Sequence, residues 1–451
     1  MTAGQFPQAF IKREQAQLGD QWDAFENAHQ VAPPVSIRFN PLKAERPYPG
    51  LQIPWTNHGV YLDHRPSFTL DPTFHGGKYY VQEASSMFLE QALRQLVPLH
   101  PIKVLDLCAA PGGKSTHILS AIDPGSLLVA NEVIPSRAAT LSENIKKWGH
   151  CNVIVTNNDP KDFQRMEAFF DVIVVDAPCS GEGLFRKDPA ALKEWSEDAV
   201  VVCSKRQRRI LHNVWPALKP GGILIYSTCT YNSYENEENI RWLKQEYDVD
   251  SPLMQIDPQW QIETVEADST TGFRFFPHRV QGEGFFLSAL RKLDGPQRQY
   301  FRSKGKVQMP VRKIADELRD WVLHPDEKSF ILHNDRVQLF PAGRMPDLIN
   351  VLNNLRVIFA GTSMVTLKHD KLVPDHSLAL SLEINRNLFN VIPLDKESAL
   401  KYLSKDEVAF PNDKEGFALV TFDNIGLGWV NVLTNRTNNL YPSEWRIRIR
   451  H

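Results

Sequence analysis

The sequence contains few cysteines, and none of them forms a pair with metal-ligand spacing. Among its 451 residues there are five, which stand singly as Cys108, Cys151, Cys179, Cys203 and Cys229. The absence of a Cys-x-x-Cys pair argues against a zinc site, and an odd number of cysteines argues against a disulfide framework. We therefore expect free thiols, no bound metal and a cytoplasmic location.

Long apolar runs and a strong net charge are also missing. No stretch approaches the roughly eighteen consecutive apolar residues of a membrane-spanning helix, and the start of the chain lacks the apolar run of a signal peptide. The formal net charge is -2, so a nucleic-acid partner would have to meet a local basic patch. The absence of a long apolar run predicts that the chain does not span a membrane. The length of the chain predicts two or three domains.

The middle of the chain alternates β-branched runs with helical patterns. Five runs are typical of buried strands, at residues 103–107, 127–131, 152–156, 171–175 and 222–227. Between the second and third runs, Pro135 and Gly149 stand where a helix would begin and end. This alternation predicts a mostly parallel sheet covered by helices on both faces, with ligands bound beyond the carboxyl ends of the strands.

The flanking regions differ from this core. Residues 1–80 are rich in proline and show no regular period, and residues 291–313 carry eight Lys or Arg side chains against one acid, Asp294. Such a run is either a solvated face or a contact for phosphates. Together with the region around Arg38 and the Arg446–Arg450 tail, it is our candidate for nucleic-acid contacts.

A glycine-rich turn follows the first predicted strand. In KVLDLCAAPGGKSTHILSA the strand gives way to a Pro-Gly-Gly turn and then to a helix beginning near Lys114. Glycines at such a corner let backbone N–H groups approach a ligand closely. The spacing is neither that of a P-loop nor GxGxxG, and alone it is weak evidence.

Acidic residues at the next strand ends strengthen the case for a ligand. Glu132 closes the second strand, where a carboxylate can accept from ribose hydroxyls, and Asp159 follows the third, where it could accept from an adenine amino group. Each alone is more often a helix cap. Together, and without a phosphate-binding pattern, they predict S-adenosylmethionine rather than NAD or ATP.

Two cysteines follow neighbouring strands at the same edge. Cys179 stands three residues after Asp176 in VVDAPCSGEG, and Cys229 stands in LIYSTCTYNS. A free cysteine is usually a small buried hydrophobe, and we interpret the other three in that way. The shared location of Cys179 and Cys229 instead favours a catalytic pair.

Two thiols beside a methyl donor suit one reaction, methylation of cytosine at C5. A thiolate that adds to C6 makes C5 nucleophilic, which divides one difficult step into two easier ones. Asp176 is placed to hydrogen-bond N3 and the exocyclic amine of the base. The second thiol or another base would assist loss of the C5 proton and release. Chemistry alone does not say which cysteine attacks.

The motifs resemble those of the Nop2/Sun-type RNA (cytosine-5)-methyltransferases. The similarity covers residues 30–293 and includes SIRFNPLK, YYVQEASSMFL, LDLCAAPGGKSTHI, DAPCSGEGLFRKDP, YSTCTYNSYENE and FPHRVQGEGFF. Within this family the chain is most similar to bacterial enzymes that act on small-subunit ribosomal RNA. Farther on, GFALVTFDNIGLGWVNV and NNLYP resemble a small PUA-type barrel.

The resemblance implies roles for individual residues. It makes Cys229 the nucleophile and Cys179 the thiol that assists release, whereas DNA methyltransferases attack with the Pro-Cys thiol. Lys114 falls on the motif lysine that reaches toward the reacting centre, and Asp176 completes the site. The cofactor would be held by Cys108, Ala109, Ala110, Pro111, Gly112, Gly113, Lys114, Glu132, Asp159 and Asp176.

The resemblance also implies an architecture: an α/β fold, with a Rossmann-like class I methyltransferase sheet between an N-terminal α+β segment and a C-terminal α+β region containing a PUA-like barrel. We expect an N-terminal RNA-binding segment (1–80), a methyltransferase domain (81–293), a basic linker (294–313) and a C-terminal RNA-binding region (314–451). The expected partner is RNA, namely small-subunit ribosomal RNA or the assembling subunit, and the chain is expected to be a monomer.

Two alternatives stay open on the residues alone. The chain could be a catalytically silent RNA-binding factor for ribosome assembly. Loss of Cys229 or Asp176 would favour this alternative, but both residues are present. DNA could replace RNA as the substrate. Methylation of an exocyclic amine is disfavoured, because Pro-Cys stands where an Asn/Asp-Pro-Pro-aromatic turn would be expected.

Overall fold

A computed structural model describes residues 6–44, 50–295, 307–368, 371–410 and 414–448. The N-terminal part combines three helices with a small antiparallel sheet of order β2-β3-β1-β4. Its elements are α1 (Gln8–Leu18), α2 (Trp22–Ala28), β1 (Val35–Phe39), β2 (Leu51–Gln52), β3 (Gly59–Leu62), α3 (Pro72–His75) and β4 (Tyr79–Val81).

Helix α1 packs directly onto the central part of the chain. The ring centroid of Phe10 lies 5.2 Å from that of Phe185 and 5.8 Å from that of Trp195. All three rings are buried in one apolar cluster with Phe25 of α2 and Tyr231. The N-terminal part is thus joined to the central part by an aromatic core.

The central part is built on a ten-stranded sheet. Its elements are α4 (Leu89–Leu96), β5 (Lys103–Asp106), α5 (Gly113–Ala121), β6 (Leu127–Asn131), α6 (Pro135–Trp148), β7 (Val153–Thr156), β8 (Phe170–Asp176), α7 (Pro189–Glu194), α8 (Glu197–Val214), β9 (Leu218–Thr228), α9 (Glu237–Glu246), β10 (Val249–Asp250), β11 (Glu263–Ala267), β12 (Thr270–Phe275) and β13 (Phe285–Lys292).

The five predicted strands are present as β5 to β9, and they run parallel in the order β9-β8-β5-β6-β7. Separate apolar clusters cover the two faces of the sheet, which explains the continuous β-branched runs. Helix α6 begins at Pro135 and ends before Gly149, whose φ of 93° is left-handed. The predicted α/β class with a parallel core is confirmed.

The C-terminal part contains two further four-stranded sheets, of order β14-β15-β17-β18 and β19-β20-β21-β22. Its elements are α10 (Arg312–Arg319), β14 (Lys328–His333), β15 (Arg336–Pro341), α11 (Met345–Asn354), β16 (Val357–Ala360), β17 (Thr362–Lys368), β18 (Lys371–Pro374), α12 (His376–Leu380), β19 (Asn390–Pro393), α13 (Lys396–Ser404), β20 (Gly416–Phe422), β21 (Ile425–Leu433) and β22 (Arg436–Asn439). Strand β16 pairs antiparallel with β7 and so extends the central sheet.

The prediction that Arg38 and Lys292 contact nucleic acid is wrong. Arg38 is fully buried: it donates to Gln82 Oε1 at 2.8 Å and to Thr116 Oγ1 at 2.6 Å. Lys292 lies in β13 and is only 4% exposed, and its Nζ donates to the carbonyls of Trp215 and Leu218. Side chains held in this way cannot reach a phosphate.

The remaining candidate contacts have different surroundings. Arg312 and Lys313, at the start of α10, are exposed, as are Arg446 and Arg448 of the C-terminal tail, whereas Arg291 is half-buried and lies 3.4 Å from Asp250. Residues 296–306 and 449–451 lie outside the described residues. Within the described ranges, no helix is both long enough and apolar enough to cross a membrane.

Candidate active site

The two cysteines meet because the strands that precede them are neighbours. Asp176 at the end of β8 is the register partner of Ser227 in β9. The loops that follow bring Cys179 Sγ within 2.9 Å of Cys229 Sγ, and the backbone N–H of Cys229 donates to Cys179 Sγ at 3.4 Å. The sheet topology therefore places both thiols at the carboxyl edge, as the sequence indicates.

The two thiols are not equivalent. The side-chain hydrogen bond with Cys229 and burial together hold the pKa of the Cys179 thiol well above its usual range. Cys179 accordingly keeps its proton, and its S–H can donate to the sulfur of Cys229, in a contact whose geometry allows either sulfur to be the donor. An S–H donated by Cys179 would stabilise negative charge on the sulfur that accepts it.

A cation lies beside the pair. Lys114 Nζ is 2.8 Å from Asp176 Oδ2, and Asp176 Oδ1 accepts from the Ser227 hydroxyl at 2.8 Å. Burial, the largest single influence, would lower the pKa of Lys114, but Asp176 together with Asp106 and Cys229 outweighs it, so that the pKa is raised. The ammonium group is therefore retained where thiolate charge would develop.

The glycine-rich turn lies between β5 and α5. Gly112 has a left-handed φ of 114°, which favours glycine, and no side chain caps the start of α5. Arg137 donates to the Ala110 carbonyl at 2.8 Å, and Asn144 donates to that of Pro111 at 2.8 Å. These two hydrogen bonds fix the carbonyls of the turn. The N-cap residue Gly112 makes no side-chain hydrogen bond to the first backbone N–H groups of α5.

Asp106 belongs to this region although sequence analysis missed it. It is fully buried at the end of β5, and its Oδ2 accepts from the Ser115 hydroxyl at 2.6 Å. Its Oδ1 has no hydrogen-bond partner among the described residues. Burial raises its pKa to about 7. A charged residue closing the apolar run VLDL was the signal, and the orphan acceptor fits a ligand that carries an amino group, as S-adenosylmethionine does.

Glu132 and Asp159 occupy the next two strand ends. Glu132 is 2% exposed; its Oε1 accepts from the Ile134 N–H at 3.0 Å, and its Oε2 lies 3.4 Å from Arg137. Asp159 is more exposed and caps a short 3₁₀ helix by accepting from the Lys161 N–H at 3.1 Å. Both stand at the predicted edge, and Asp159 also has the ordinary capping role.

Comparison with known proteins shows the family. The family model of the 16S rRNA methyltransferases RsmB/F matches residues 94–291, and those of the RsmF N-terminal and PUA domains match residues 6–84 and 389–447. The chain is 32% identical to ribosomal RNA small subunit methyltransferase F of Salmonella agona (strain SL483), over 97% of this chain and 96% of that protein. The chain belongs to the RsmF family.

Other relatives agree. The methyltransferase F of Shewanella loihica (strain ATCC BAA-1088 / PV-4) is 30% identical, over 87% of this chain and 83% of that protein. A crystal structure of a methyltransferase homologue from Pyrococcus horikoshii superposes with a TM-score of 0.55 at 26% identity, covering 65% of this chain and all of that one. NSun6 from the same organism, solved with SFG, shows the same fold at 20% identity, with a TM-score of 0.56 and coverage of 65% and 100%.

Membership of the RsmF family makes the chain an S-adenosylmethionine-dependent rRNA (cytosine-5)-methyltransferase. The predicted methyltransferase sheet, N-terminal α+β part and PUA-like region are all confirmed by the same matches and by the fold.

The structure also reveals buried carboxylates around the cysteine loops of this RsmF-family chain. Glu235 accepts from the Ser180 N–H at 3.0 Å, from Asn232 at 2.8 Å and from Gln207 at 2.6 Å. Glu182 accepts from the loop after Cys229. Sequence analysis missed both residues, because a glutamate in a glycine-rich loop or before a helix has no period that would mark it as buried.

Proposed function

We propose that this RsmF-family enzyme methylates C5 of cytosine in small-subunit rRNA through a covalent bond between Cys229 and C6, with Cys179 assisting release. The observation that carries the proposal is the contact of 2.9 Å between the two sulfurs. Cys179 is the protonated member of that pair, and Lys114 supplies positive charge beside Cys229.

In the first step, the Cys229 thiolate adds to C6 and the C5–C6 electron pair becomes available at C5. Asp176, positioned by Lys114 and Ser227, accepts a hydrogen bond from the exocyclic amine and orients the ring. The turn from Cys108 to Lys114 and the carboxylates at the strand ends would hold S-adenosylmethionine, which would supply an electrophilic methyl group to C5. As C5 bonded to that methyl, the S–CH3 bond would break and its electron pair would remain on the cofactor sulfur.

The second half of the reaction restores the aromatic ring. The C5 proton leaves to a base, the C5–C6 double bond re-forms, and the Cys229 sulfur departs with the electrons of its bond to C6. Cys179 is in contact with the leaving sulfur, and its S–H can stabilise the departing Cys229 thiolate by hydrogen bonding. The thiolate and 5-methylcytosine are thereby released, and the base passes the C5 proton to solvent.

The cofactor site comprises the turn from Cys108 to Lys114 and the carboxylates at the strand ends. In the proposal Glu132 accepts from the ribose hydroxyls, Asp159 from the adenine amino group, and Asp176 borders the methyl group. Asp106 joins this set through its unpartnered oxygen. The orphan acceptor and the uncapped start of α5 support this assignment.

The flanking parts complete the proposed enzyme. RNA would be bound by the N-terminal segment (1–80) and the C-terminal region (314–451) beside a methyltransferase domain (81–293) and a basic linker (294–313). Both cysteines, Lys114 and Asp176 come from one chain, which supports action as a monomer. A cytoplasmic location accords with free thiols in all five cysteines.

The proposal is tested by methyl transfer from labelled S-adenosylmethionine to three substrates: deproteinised 16S rRNA, assembled small subunits and DNA of the same sequence. Digestion and chromatography should recover the label as 5-methylcytidine from RNA alone, with none from Cys229→Ala. Label in DNA would reverse the substrate assignment. Binding of RNA without any transfer would favour the silent assembly factor.

A further inference from the structure

The carboxylate of Glu182 is attached to the segment that follows the proposed nucleophile. Its Oε2 accepts from the Thr230 hydroxyl at 2.6 Å and from the backbone N–H groups of Tyr231 and Asn232, each at 3.1 Å. Glu182 has no exposed surface. Three donors from consecutive residues on one buried oxygen fix the path of the chain immediately after Cys229.

The same residue also links this segment to the loop of Cys179. The backbone N–H of Gly183, next to Glu182, donates to the Cys229 carbonyl at 2.9 Å. The Thr230 hydroxyl, held by Glu182, is 3.0 Å from the Ser180 hydroxyl. Glu182 therefore lies at the junction of the two cysteine loops and influences the separation of their sulfurs.

The other oxygen of Glu182 is held from outside the methyltransferase sheet. Its Oε1 accepts from Trp195 Nε1 at 2.9 Å and from Arg13 Nη2 at 2.7 Å, and Arg13 belongs to helix α1 of the N-terminal part. Arg13 Nε also donates to Glu14 at 2.9 Å. Among the described residues, Arg13 is the cation in ion-pair contact with Glu182.

A buried carboxylate depends strongly on such a cation. Glu14 is itself fully buried beside Glu182, so removal of Arg13 would leave two desolvated carboxylates together. A buried carboxylate without a compensating cation is strongly unfavourable, so Glu182 would no longer hold the loop of Thr230, Tyr231 and Asn232 in the same position. The geometry of the Cys229 loop is thus coupled to the docking of helix α1.

We propose that Glu182 is a positioning residue for Cys229, and that Arg13 maintains it, so that the N-terminal helix completes the catalytic site in addition to any contact it makes with RNA. This inference rests on the proposed role of Cys229. It assigns Arg13 and Glu182 to the rate of the covalent step, not to affinity for either substrate.

The test compares Arg13→Met with Lys12→Met in the full chain. Lys12 is the neighbouring, exposed cation on the same helix, so both variants lose one positive charge and only one loses the contact with Glu182. Arg13→Met should lower kcat by about 10- to 100-fold, because a small displacement of a reacting group has an effect of that size. KM for RNA and for S-adenosylmethionine should stay within about twofold of the Lys12→Met values.

Two further measurements separate positioning from general damage. In a Cys179→Ser background, Arg13→Met should slow formation of the covalent RNA complex in a single turnover, while Lys12→Met should not. Arg13→Lys, which restores the charge, should recover part of the rate. If Arg13→Met does not fold, as judged by thermal unfolding, Thr230→Val takes its place under the same criteria.

Equal kcat and equal rates of complex formation in folded Arg13→Met and Lys12→Met would overturn the inference. A rise in KM for RNA at constant kcat would also overturn it, because Arg13 would then act in RNA binding. Cys229→Ser is measured in parallel. Activity in Cys229→Ser would contradict the proposed function itself. If Cys229→Ser is inactive but Arg13→Met has the same kcat as Lys12→Met, only this inference is contradicted.

Discussion

Asp176 and Ser227 stand opposite each other on neighbouring parallel strands, and the Ser227 hydroxyl donates to Asp176 Oδ1 at 2.8 Å. The loop after Asp176 carries Cys179, and the loop after Ser227 carries Cys229. Since neighbouring parallel strands end at the same edge, this pairing brings the two thiols into contact. The contact between the two cysteines thus follows from strand order.

Glu132→Ala should weaken the binding of S-adenosylmethionine. The loss of a charged hydrogen-bond acceptor has an effect of roughly 1.5–3 kcal/mol, which is about ten- to a hundredfold in affinity. Isothermal titration calorimetry without RNA would measure the dissociation constant, and Asp20→Asn, an exposed change on the N-terminal part, is the control. An unchanged constant for Glu132→Ala would contradict the ribose assignment.

Glu14→Gln should make the free energy of unfolding less dependent on pH. Burial, aided by Glu182, raises the pKa of Glu14 from 4.5 to about 7. The folded protein therefore retains a proton that the unfolded chain releases, so that stability is fully present below about pH 4.5 and declines as the pH rises through about 7.

The size of this effect can be estimated and measured. The shift corresponds to at most about 3 kcal/mol of lost stability above pH 7. Urea unfolding of Glu14→Gln and the parent at pH 5 and pH 8 should show a variant that is relatively more stable at pH 8. Asp20→Asn should show the same difference from the parent at both pH values. If Glu14→Gln does likewise, Glu14 does not titrate in this window.

RNA binding should depend on salt through the basic run near the start of the C-terminal part. Neutralising Arg298, Arg302, Lys304, Lys306, Arg312 and Lys313 should flatten the plot of log K against log salt concentration, by about 0.7–0.9 for each lost phosphate contact. The first four lie outside the described residues. Lys292→Met, which removes a buried cation from the same run, is the control. An unaltered slope after neutralisation of all six would contradict this assignment.

The sequence was sufficient to predict the parallel core and the position of its ligand edge. Strands such as β7 are buried on both faces, so their sequences are uninterrupted apolar runs. Strand β2 has only two residues and both are exposed, so the N-terminal sheet has no comparable signal. Its existence depends on pairing with β3, which is a tertiary effect.

Charged residues explain the main errors. Arg38 and Lys292 were expected to meet phosphates, yet remote segments supply buried acceptors for both: the Gln82 and Thr116 side chains for Arg38, and two backbone carbonyls for Lys292. A sequence shows the cation but not its acceptors. For the same reason, the sequence does not show that Arg13 and Glu182 are in contact, since they lie 169 positions apart in the chain.

The measurement that tests the account most directly is covalent trapping of RNA by the two cysteine variants on a denaturing gel. Cys179→Ser should accumulate a protein–RNA adduct that requires S-adenosylmethionine, because attack and methylation proceed while release stalls. Cys229→Ser and the double variant should form no adduct and no 5-methylcytosine, since a serine hydroxyl is too weakly acidic to replace the thiolate. An adduct with Cys229→Ser that disappears with Cys179→Ser would contradict the account and assign the attack to Cys179.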